Sequence, residues 1–161
     1  MTPWHRNATA YPIDPLATTT VWIAATDSTR ANGCLRFIPG SHLAREAGDH
    51  DRTHKPGEYF AGSLAASEFD ESKAVDVELQ AGQMVVFDVF AVHGARANNG
   101  TQARGGYSLR FMRCTSVFLH DAAQDREKVG YGHETRALML ARGEDKTGRN
   151  DFRRGHTVPV C

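Results

Sequence analysis

The stretch from Ala74 to His93, AVDVELQAGQMVVFDVFAVH, decides the fold class of this chain because it contains two successive β-strand patterns and the turn between them. Its first seven residues alternate apolar and polar side chains, which is typical of a half-buried strand. Ala81-Gly82 is a turn signal, and the apolar run Met84 to Phe87 suits a buried strand. This stretch therefore predicts two strands joined by a tight connection.

Similar patterns lie on both sides of this stretch. Thr18 to Ala25 is rich in β-branched and aromatic residues, and Gly33 to Ile38 follows an Asn-Gly turn signal. Gly106 to Cys114 again alternates apolar and polar residues. Short strands separated by turns predict an all-β fold, which could be a sandwich, a barrel or a jelly roll.

Two segments depart from the strand pattern. Ser41 to Lys73 is polar throughout, and a connection of this length is usually functional, so we expect a long lid loop. After Cys114 the sequence is charged and Gly-rich, which predicts a less regular C-terminal tail with a short helix over Glu134 to Arg142. A chain of this size encloses one core, so we expect residues 1–161 to form a single domain.

The overall composition excludes several classes of function. The chain has 19 basic and 19 acidic residues, so nucleic acid is not expected as a partner. No apolar run approaches the roughly 20 residues needed to span a bilayer, so no membrane is expected either. Cys34, Cys114 and Cys161 are widely spaced and odd in number, which argues against a disulfide framework and favours the cytoplasm as the location.

Eight histidines invite a search for metal ligands. His93 ends the apolar segment described above and precedes Gly94, and His5 begins a segment that runs into the first long strand. From the residues alone, each ring is either a metal ligand in a sheet cavity or a packed structural histidine. His50 and His54 are four apart, but their Gly- and Asp-rich surroundings form a poor helix, so a metal role is not favoured there.

The stretch from Trp4 to His42 resembles the phytanoyl-CoA dioxygenase family along its whole length. The family pattern is W-H-x-D, a Pro-containing segment, a strand with a Trp, and then E-N-G-C-L-x-x-I-P-G-S-H. Asn32 to His42, NGCLRFIPGSH, reproduces the last block, and Ala74 to Arg110 gives a second match. The family's domain has a substantial portion before its first metal-binding histidine, so this chain apparently lacks an N-terminal portion.

The resemblance implies a double-stranded β-helix, a cupin-like jelly roll, which holds Fe(II) through two histidines and one carboxylate and uses 2-oxoglutarate as cosubstrate. Residue by residue, His5 matches the first histidine and His93 the distal one. Arg104 matches the arginine that pairs with the distal carboxylate of 2-oxoglutarate. Without its spacing from His93, a solvated loop arginine would be the favoured interpretation. Trp22 matches a strand tryptophan that lines the cosubstrate pocket.

Asn7 stands where the family has its carboxylate, so the implied metal ligands are His5, Asn7 and His93. An amide lacks the full negative charge of a carboxylate, and Fe(II) affinity should therefore fall. Three outcomes are open at this point. The amide oxygen coordinates weakly and supports oxygenase chemistry, the site accepts an anion from solution, or catalysis is lost.

Two functions follow from these residues. The first is an Fe(II)/2-oxoglutarate-dependent dioxygenase that hydroxylates a small organic substrate. The alternative is a non-catalytic jelly-roll module that binds a ligand after losing its metal. A missing N-terminal portion would leave sheet edges open, so we expect either a homodimer through an exposed edge or that the chain is a fragment of a longer protein.

Overall fold

The computed structural model describes residues 1–51, 55–59, 62–122 and 132–156. These residues form short β-strands, and their helical segments are single 3₁₀ turns at Asn7–Thr9, Ser41–Ala44, Ala66–Glu68 and Glu71–Lys73. None of the described helices is long and apolar enough to cross a membrane. The strands are β1 (Thr2–His5), β2 (Ile13–Asp14), β3 (Thr18–Ala24), β4 (Leu35–Phe37), β5 (His50–Asp51), β6 (Ser63–Leu64), β7 (Val75–Val77), β8 (Met84–Asp88), β9 (His93–Ala95), β10 (Gly106–Met112) and β11 (Val117–Phe118).

The chain divides into two compact units. The first contains Met1–Ala10 and Thr18–Phe111, and the second contains Tyr11–Ala17 and Met112–Cys161. The first unit carries a four-stranded sheet in the order β1-β9-β4-β7 and a three-stranded sheet in the order β10-β3-β8. The second unit carries the antiparallel pair of β2 and β11. A single domain over residues 1–161 stays a prediction.

The two sheets of the first unit lie face to face, as in a jelly roll. Phe37 of β4 and Phe87 of β8 contact each other with ring centroids 4.9 Å apart. Along β3, Thr18, Thr20 and Ala24 are buried while Thr19 is exposed, because alternate side chains of a strand point to opposite faces. The inner faces therefore enclose the interior of the sandwich, and the predicted all-β jelly roll is confirmed.

Each predicted strand overlaps an observed one, but the predicted helix over Glu134 to Arg142 is wrong. The only regular feature there is a turn in which the Arg136 amide donates to the His133 carbonyl. Met139 is 80% exposed and Leu140 is 51% exposed. A helix this short needs an apolar face buried against other elements, and these side chains are not buried.

The second unit is held by side-chain hydrogen bonds more than by a sheet, which agrees with the predicted irregular tail. Asn150 accepts from the Phe118 amide at 2.9 Å and donates to the Ser116 carbonyl at 2.9 Å. Asp145 accepts from the Thr147 hydroxyl at 2.7 Å and from the Asn150 amide group at 3.1 Å. The Thr147 hydroxyl lowers the pKa of the Asp145 carboxyl to about 2.

The long polar connection contains local structure. Between Ser41 and Lys73 the chain forms three of the 3₁₀ turns and the antiparallel pair of β5 and β6, in which His50 lies opposite Leu64. His54 lies outside the described residues. The role of this connection as a lid stays a prediction.

Candidate active site

Two neighbouring strands bring His5 and His93 side by side. β1 and β9 are antiparallel, His5 is paired with His93, and the two ring centroids are 4.1 Å apart. The register shifts by one residue between Thr2 and His5, which is a β-bulge. A bulge re-aims the side chains that follow it, so this irregularity places the His5 ring on the same face as the His93 ring.

Gly94 allows β1 and β9 to approach this closely. A Cβ atom at Gly94 would lie 3.0 Å from the Thr2 carbonyl oxygen and 3.3 Å from that of Pro3. Pro3 has no amide hydrogen to donate to the ladder, and a bulge is one of the few places where a strand tolerates this. The glycine after the second histidine is therefore explained by backbone approach.

Both imidazoles are held in the tautomer that suits a metal ligand. The His5 Nδ1 donates to the Pro3 carbonyl at 2.8 Å, and the His93 Nδ1 donates to the Ala91 carbonyl at 2.9 Å. A histidine that donates its Nδ1 hydrogen to a backbone carbonyl presents the lone pair of Nε2, as metal-bound histidines do. Imidazole–metal bonds are about 2 Å long, so rings this close together can share one ion.

Burial keeps both rings neutral. Loss of hydration lowers the pKa of His5 from 6.5 to about 4. It also lowers the pKa of His93 well below its ordinary value, and the neighbouring His5 adds to that effect. A neutral imidazole is the form that binds a metal, so near neutral pH neither ring has to lose a proton before it can bind one.

Aromatic rings surround the histidine pair. Phe37, which pairs with His93 across β4 and β9, stacks on its ring with centroids 5.6 Å apart and an interplanar angle of 14°. Phe87 of the opposite sheet lies 4.7 Å from the same ring. An apolar shell limits solvent access and lowers the local dielectric constant.

Asn7 lies beside the pair at the start of a 3₁₀ turn and is buried. Its Nδ2 donates to the Thr20 hydroxyl at 3.4 Å, and its side chain partly offsets the lowering of the pKa of His5 by burial. Among the described residues, no group of three His, Cys, Asp or Glu side chains could hold a metal ion. A metal bound here would have two imidazoles and an amide oxygen as its donors, a set that fits a divalent metal but is weaker than a set with a carboxylate.

Trp22 and Arg104 meet in the first unit. The Arg104 guanidinium carbon is 5.4 Å from the centre of the Trp22 ring, a cation–π contact. Trp22 is two residues after Thr20 on the same face of β3, so the indole lies on the face that also supports Asn7. Burial lowers the pKa of the Arg104 guanidinium from its ordinary value. Arg104 is thus a partly buried cation, not a solvated loop arginine.

Several residues of this region were not foreseen from the sequence. Thr20, Phe37 and Phe87 contact Asn7 or His93, and two of them carry a usable signal. Thr20 is two positions from Trp22 and therefore shares its face, and Phe37 lies in the block from Asn32 to His42 that carries the family resemblance. The contact between the Phe87 and His93 rings depends on how the two sheets pack, and no local sequence pattern predicts that packing.

His50 is a third histidine near the pair, but its ring is used in hydrogen bonds. Its Nε2 accepts from the Arg6 amide at 3.4 Å, and its Nδ1 donates to the Gly48 carbonyl at 3.1 Å. With both ring nitrogens occupied, His50 positions the segment after His5, and the described contacts do not support a role as ligand.

A jelly-roll sandwich with two adjacent neutral imidazoles on paired inner strands is the arrangement of cupin-like proteins that hold a metal ion. Comparison with known proteins narrows this class. The family model of phytanoyl-CoA dioxygenase (PhyH) matches residues 1–106. The chain belongs to this family.

Relatives and solved structures agree with this assignment. The Caenorhabditis briggsae homologue of phytanoyl-CoA dioxygenase domain-containing protein 1 is 36% identical over 107 residues, which is 63% of this chain and 36% of the relative. EvdO2 from Micromonospora carbonacea var. aurantiaca, complexed with 2-oxoglutarate, is 27% identical with a TM-score of 0.60, over 78% of this chain and 50% of that one. The epimerase SnoN in complex with Fe3+, alpha ketoglutarate and nogalamycin RO is 29% identical with a TM-score of 0.55, over 73% and 44%. The chain thus spans little more than a third of the curated relative's length.

Proposed function

We propose that this chain carries the metal- and cosubstrate-binding part of an Fe(II)/2-oxoglutarate-dependent dioxygenase that hydroxylates a small organic substrate. The observation that carries the proposal is the His5–His93 pair, with ring centroids 4.1 Å apart and each Nδ1 tied to a backbone carbonyl. Complexes of related structures with 2-oxoglutarate and iron support the same chemistry. A small-molecule substrate and a cytoplasmic location remain predictions.

Each residue has a distinct part in this proposal. His5 and His93 would hold Fe(II), which together with 2-oxoglutarate supplies the oxygen-activating chemistry when bound. Phe37 and Phe87 exclude water from one side of the His93 ring. Arg104 would pair with the distal carboxylate of 2-oxoglutarate, because a guanidinium grips a carboxylate through two parallel hydrogen bonds. Its contact with Trp22 restricts the guanidinium before the cosubstrate arrives.

Asn7 determines how tightly the metal is held. Its amide is anchored by Thr20, so the amide group is oriented even though it carries no charge. We therefore propose that Asn7 is a weak neutral ligand of a functional site. The alternative, a module that binds a ligand without metal, is motivated by the same residue and receives no support from the comparisons.

Replacing Asn7 by Asp tests the proposal. Changes outside the first coordination shell alter metal affinity by about 10–100-fold, so restoring a charged ligand should tighten Fe(II) binding at least about tenfold. Anaerobic Fe(II) titrations with 2-oxoglutarate, followed by the visible charge-transfer absorption, measure this affinity. Succinate formation in air should rise with it.

Asn98→Asp is the matched control, because it makes the same change of charge at an exposed position. It should leave Fe(II) affinity unchanged. If neither the natural chain nor the Asn7→Asp variant binds Fe(II) at millimolar metal, while the natural chain still binds 2-oxoglutarate, the metal-free module is the correct interpretation.

A further inference from the structure

The described part of the long connection covers the outer face of the four-stranded sheet. His93 points into the sandwich, so its neighbour Val92 faces outward, because side chains alternate along the chain there. Val92 is buried on that outer face in a cluster with Leu64 of β6. Phe69 of the connection packs on Trp4 of β1, with ring centroids 5.3 Å apart, and both rings lie against the same cluster. The connection thus builds a small apolar core behind the strands that carry the two histidines.

Arg6 is a buried charge in this covered region. It follows His5 in extended backbone, so its side chain lies on the outer side together with that of Trp4. The Arg6 Nη1 is 3.4 Å from the Glu68 Oε2, and 4% of the Arg6 side chain and 25% of the Glu68 side chain are exposed. The Arg6 Nε is buried and has no hydrogen-bond partner within the described part of the chain. Since a buried charge has to be paired, Arg6 depends on the carboxylate that the connection supplies.

The packing around the Arg6–Glu68 pair leaves no room for a ligand. Gly48 of the connection lies directly against the pair, and a Cβ at this position would collide with the Arg6 Nη1 and would lie 2.8 Å from the Glu68 Oε2. Gly48 also has a φ of +72°, a conformation that glycine adopts readily. The guanidinium is therefore an anchor for the connection and not a separate anion site.

The backbone of Arg6 is held on both sides as well. Its amide donates to the His50 Nε2 of the connection at 3.4 Å, and its carbonyl accepts from the Thr9 hydroxyl at 3.3 Å. His5 and Asn7 are the residues immediately before and after Arg6. Each peptide unit is planar, so the backbone has only two soft dihedral angles per residue. A displacement of Arg6 therefore moves both of these candidate ligands.

We infer that Arg6 is a positioning residue for the candidate metal site. Glu68 holds it from the outer side of the sheet, and Arg6 in turn fixes the backbone that aims His5 and Asn7 inward. Packing of the connection and binding of a divalent metal are then coupled, so that loosening the first weakens the second. This inference rests on the proposed function, since the metal concerned is that of the same site.

Glu68→Gln tests the inference, because it removes the negative charge and keeps the shape of the side chain. The uncompensated Arg6 guanidinium should move toward water, and Fe(II) affinity should fall about tenfold, as it does when groups that orient metal ligands are altered. Anaerobic Fe(II) titrations with saturating 2-oxoglutarate measure the affinity, and urea unfolding shows that the variant is folded under the same conditions. Glu68→Asp keeps the charge and should lose less affinity, and it takes the place of the Gln variant if that variant does not fold.

Glu71→Gln is the matched control. Glu71 lies in the same connection and also pairs with a buried arginine, with 3.0 Å between its Oε1 and the Arg36 Nη1. Arg36 keeps Asp76 as a second partner at 2.9 Å and is not next to a candidate ligand in the sequence, so this variant should leave Fe(II) affinity unchanged. Equal losses in Glu68→Gln and Glu71→Gln would overturn the inference, because the connection would then act only through general stability.

NMR spectra of the metal-free chain with isotope-labelled histidine distinguish this inference from the proposed function. The ring signals of His5 should shift in Glu68→Gln and stay in place in Glu71→Gln. If the natural chain binds no Fe(II) but this difference is seen, the proposed oxygenase function fails and the positioning of His5 by Arg6 stands. If Fe(II) binds and Glu68→Gln changes neither its affinity nor the ring signals, only the role of Arg6 fails.

Discussion

At the scale of single residues, the structure brings the candidate ligands together and places the two candidate cosubstrate contacts side by side. His5, Asn7 and His93 come together as the family resemblance implied, and so do Trp22 and Arg104. Their roles as ligands and as cosubstrate contacts remain predictions. What the structure adds at this scale is the hydrogen bonding, which sets the tautomer of each imidazole and the orientation of the Asn7 amide.

Gly106 is the residue whose identity is explained most directly by its contacts. A Cβ at this position would lie 2.0 Å from Trp22, whereas one at Gly105 would have ordinary contacts, the nearest at 3.7 Å. Gly106→Ala should therefore displace the indole together with Arg104 and lower stability by about 1–3 kcal/mol, as overpacking does. Tryptophan fluorescence, urea unfolding and 2-oxoglutarate titration measure the three effects.

Gly105→Ala is the control for this substitution, since it adds the same methyl group one position earlier. It should change neither the fluorescence nor the cosubstrate affinity. Equal effects of the two substitutions would show that Gly106 matters for backbone freedom and not for the room it leaves to Trp22.

At the scale of elements, hydrogen bonds of Ser41, in the turn from Pro39 to His42, connect the end of β4 to the segment that leads to His93. The Ser41 hydroxyl donates to the Ile38 carbonyl at 2.7 Å and accepts from the Val92 amide at 2.9 Å. Val92 is fully buried, and the Ile38 amide donates to its carbonyl at 3.0 Å. A turn of the chain thus holds the residue immediately before the distal histidine.

Ser41→Ala should leave the buried Val92 amide without its acceptor. An unsatisfied buried donor costs about 1–3 kcal/mol, so the free energy of unfolding should fall by that amount, and Fe(II) affinity should fall as His93 loses support. Urea unfolding and the anaerobic metal titration measure the two changes. Ser72→Ala, at an exposed hydroxyl that bonds Asp70, should alter neither quantity appreciably.

Strands were predictable from local pattern, whereas the helix was not. A period of two in side-chain polarity is a property of five or six consecutive residues, as in the stretch from Ala74 to Gln80 and in β10. A short helix depends on tertiary packing of one face. Met139 and Leu140 are exposed, so they have no such packing. The error at this scale therefore comes from contacts that the local sequence does not contain.

At the scale of the whole molecule, one face of the three-stranded sheet is apolar and exposed. β10 and β8 are its edge strands among the described residues, and the residues that face away from the interior include Val21 and Ile23 of β3. Exposed apolar patches on a sheet are sites of association. The exposed apolar side chains on the two edge strands are Met84, Val86, Tyr107 and Phe111.

Homodimerisation through an exposed sheet edge stays a prediction. The exposed apolar side chains on the edge strands β8 and β10 would form its interface. Val86→Lys puts a charge on the edge strand β8 and should convert a dimer into a monomer, because burying an unpaired charge in an interface is unfavourable. Light scattering after size exclusion over a range of concentrations measures the mass. Val75→Lys, which changes an equally exposed valine on the other sheet, should leave the mass unchanged.

The sequence by itself determined the all-β class and, through the family resemblance, the candidate ligands His5, Asn7 and His93, because strand alternation and motif letters are local. Only the tertiary structure decided that β1 and β9 pair with His5 opposite His93, that Phe87 of the other sheet packs against the His93 ring, and that Gly106 of β10 lies against Trp22. These features depend on register and on sheet packing between distant segments. A shift of one residue in register would turn each of those side chains to the other face, and no short stretch of sequence specifies that register alone.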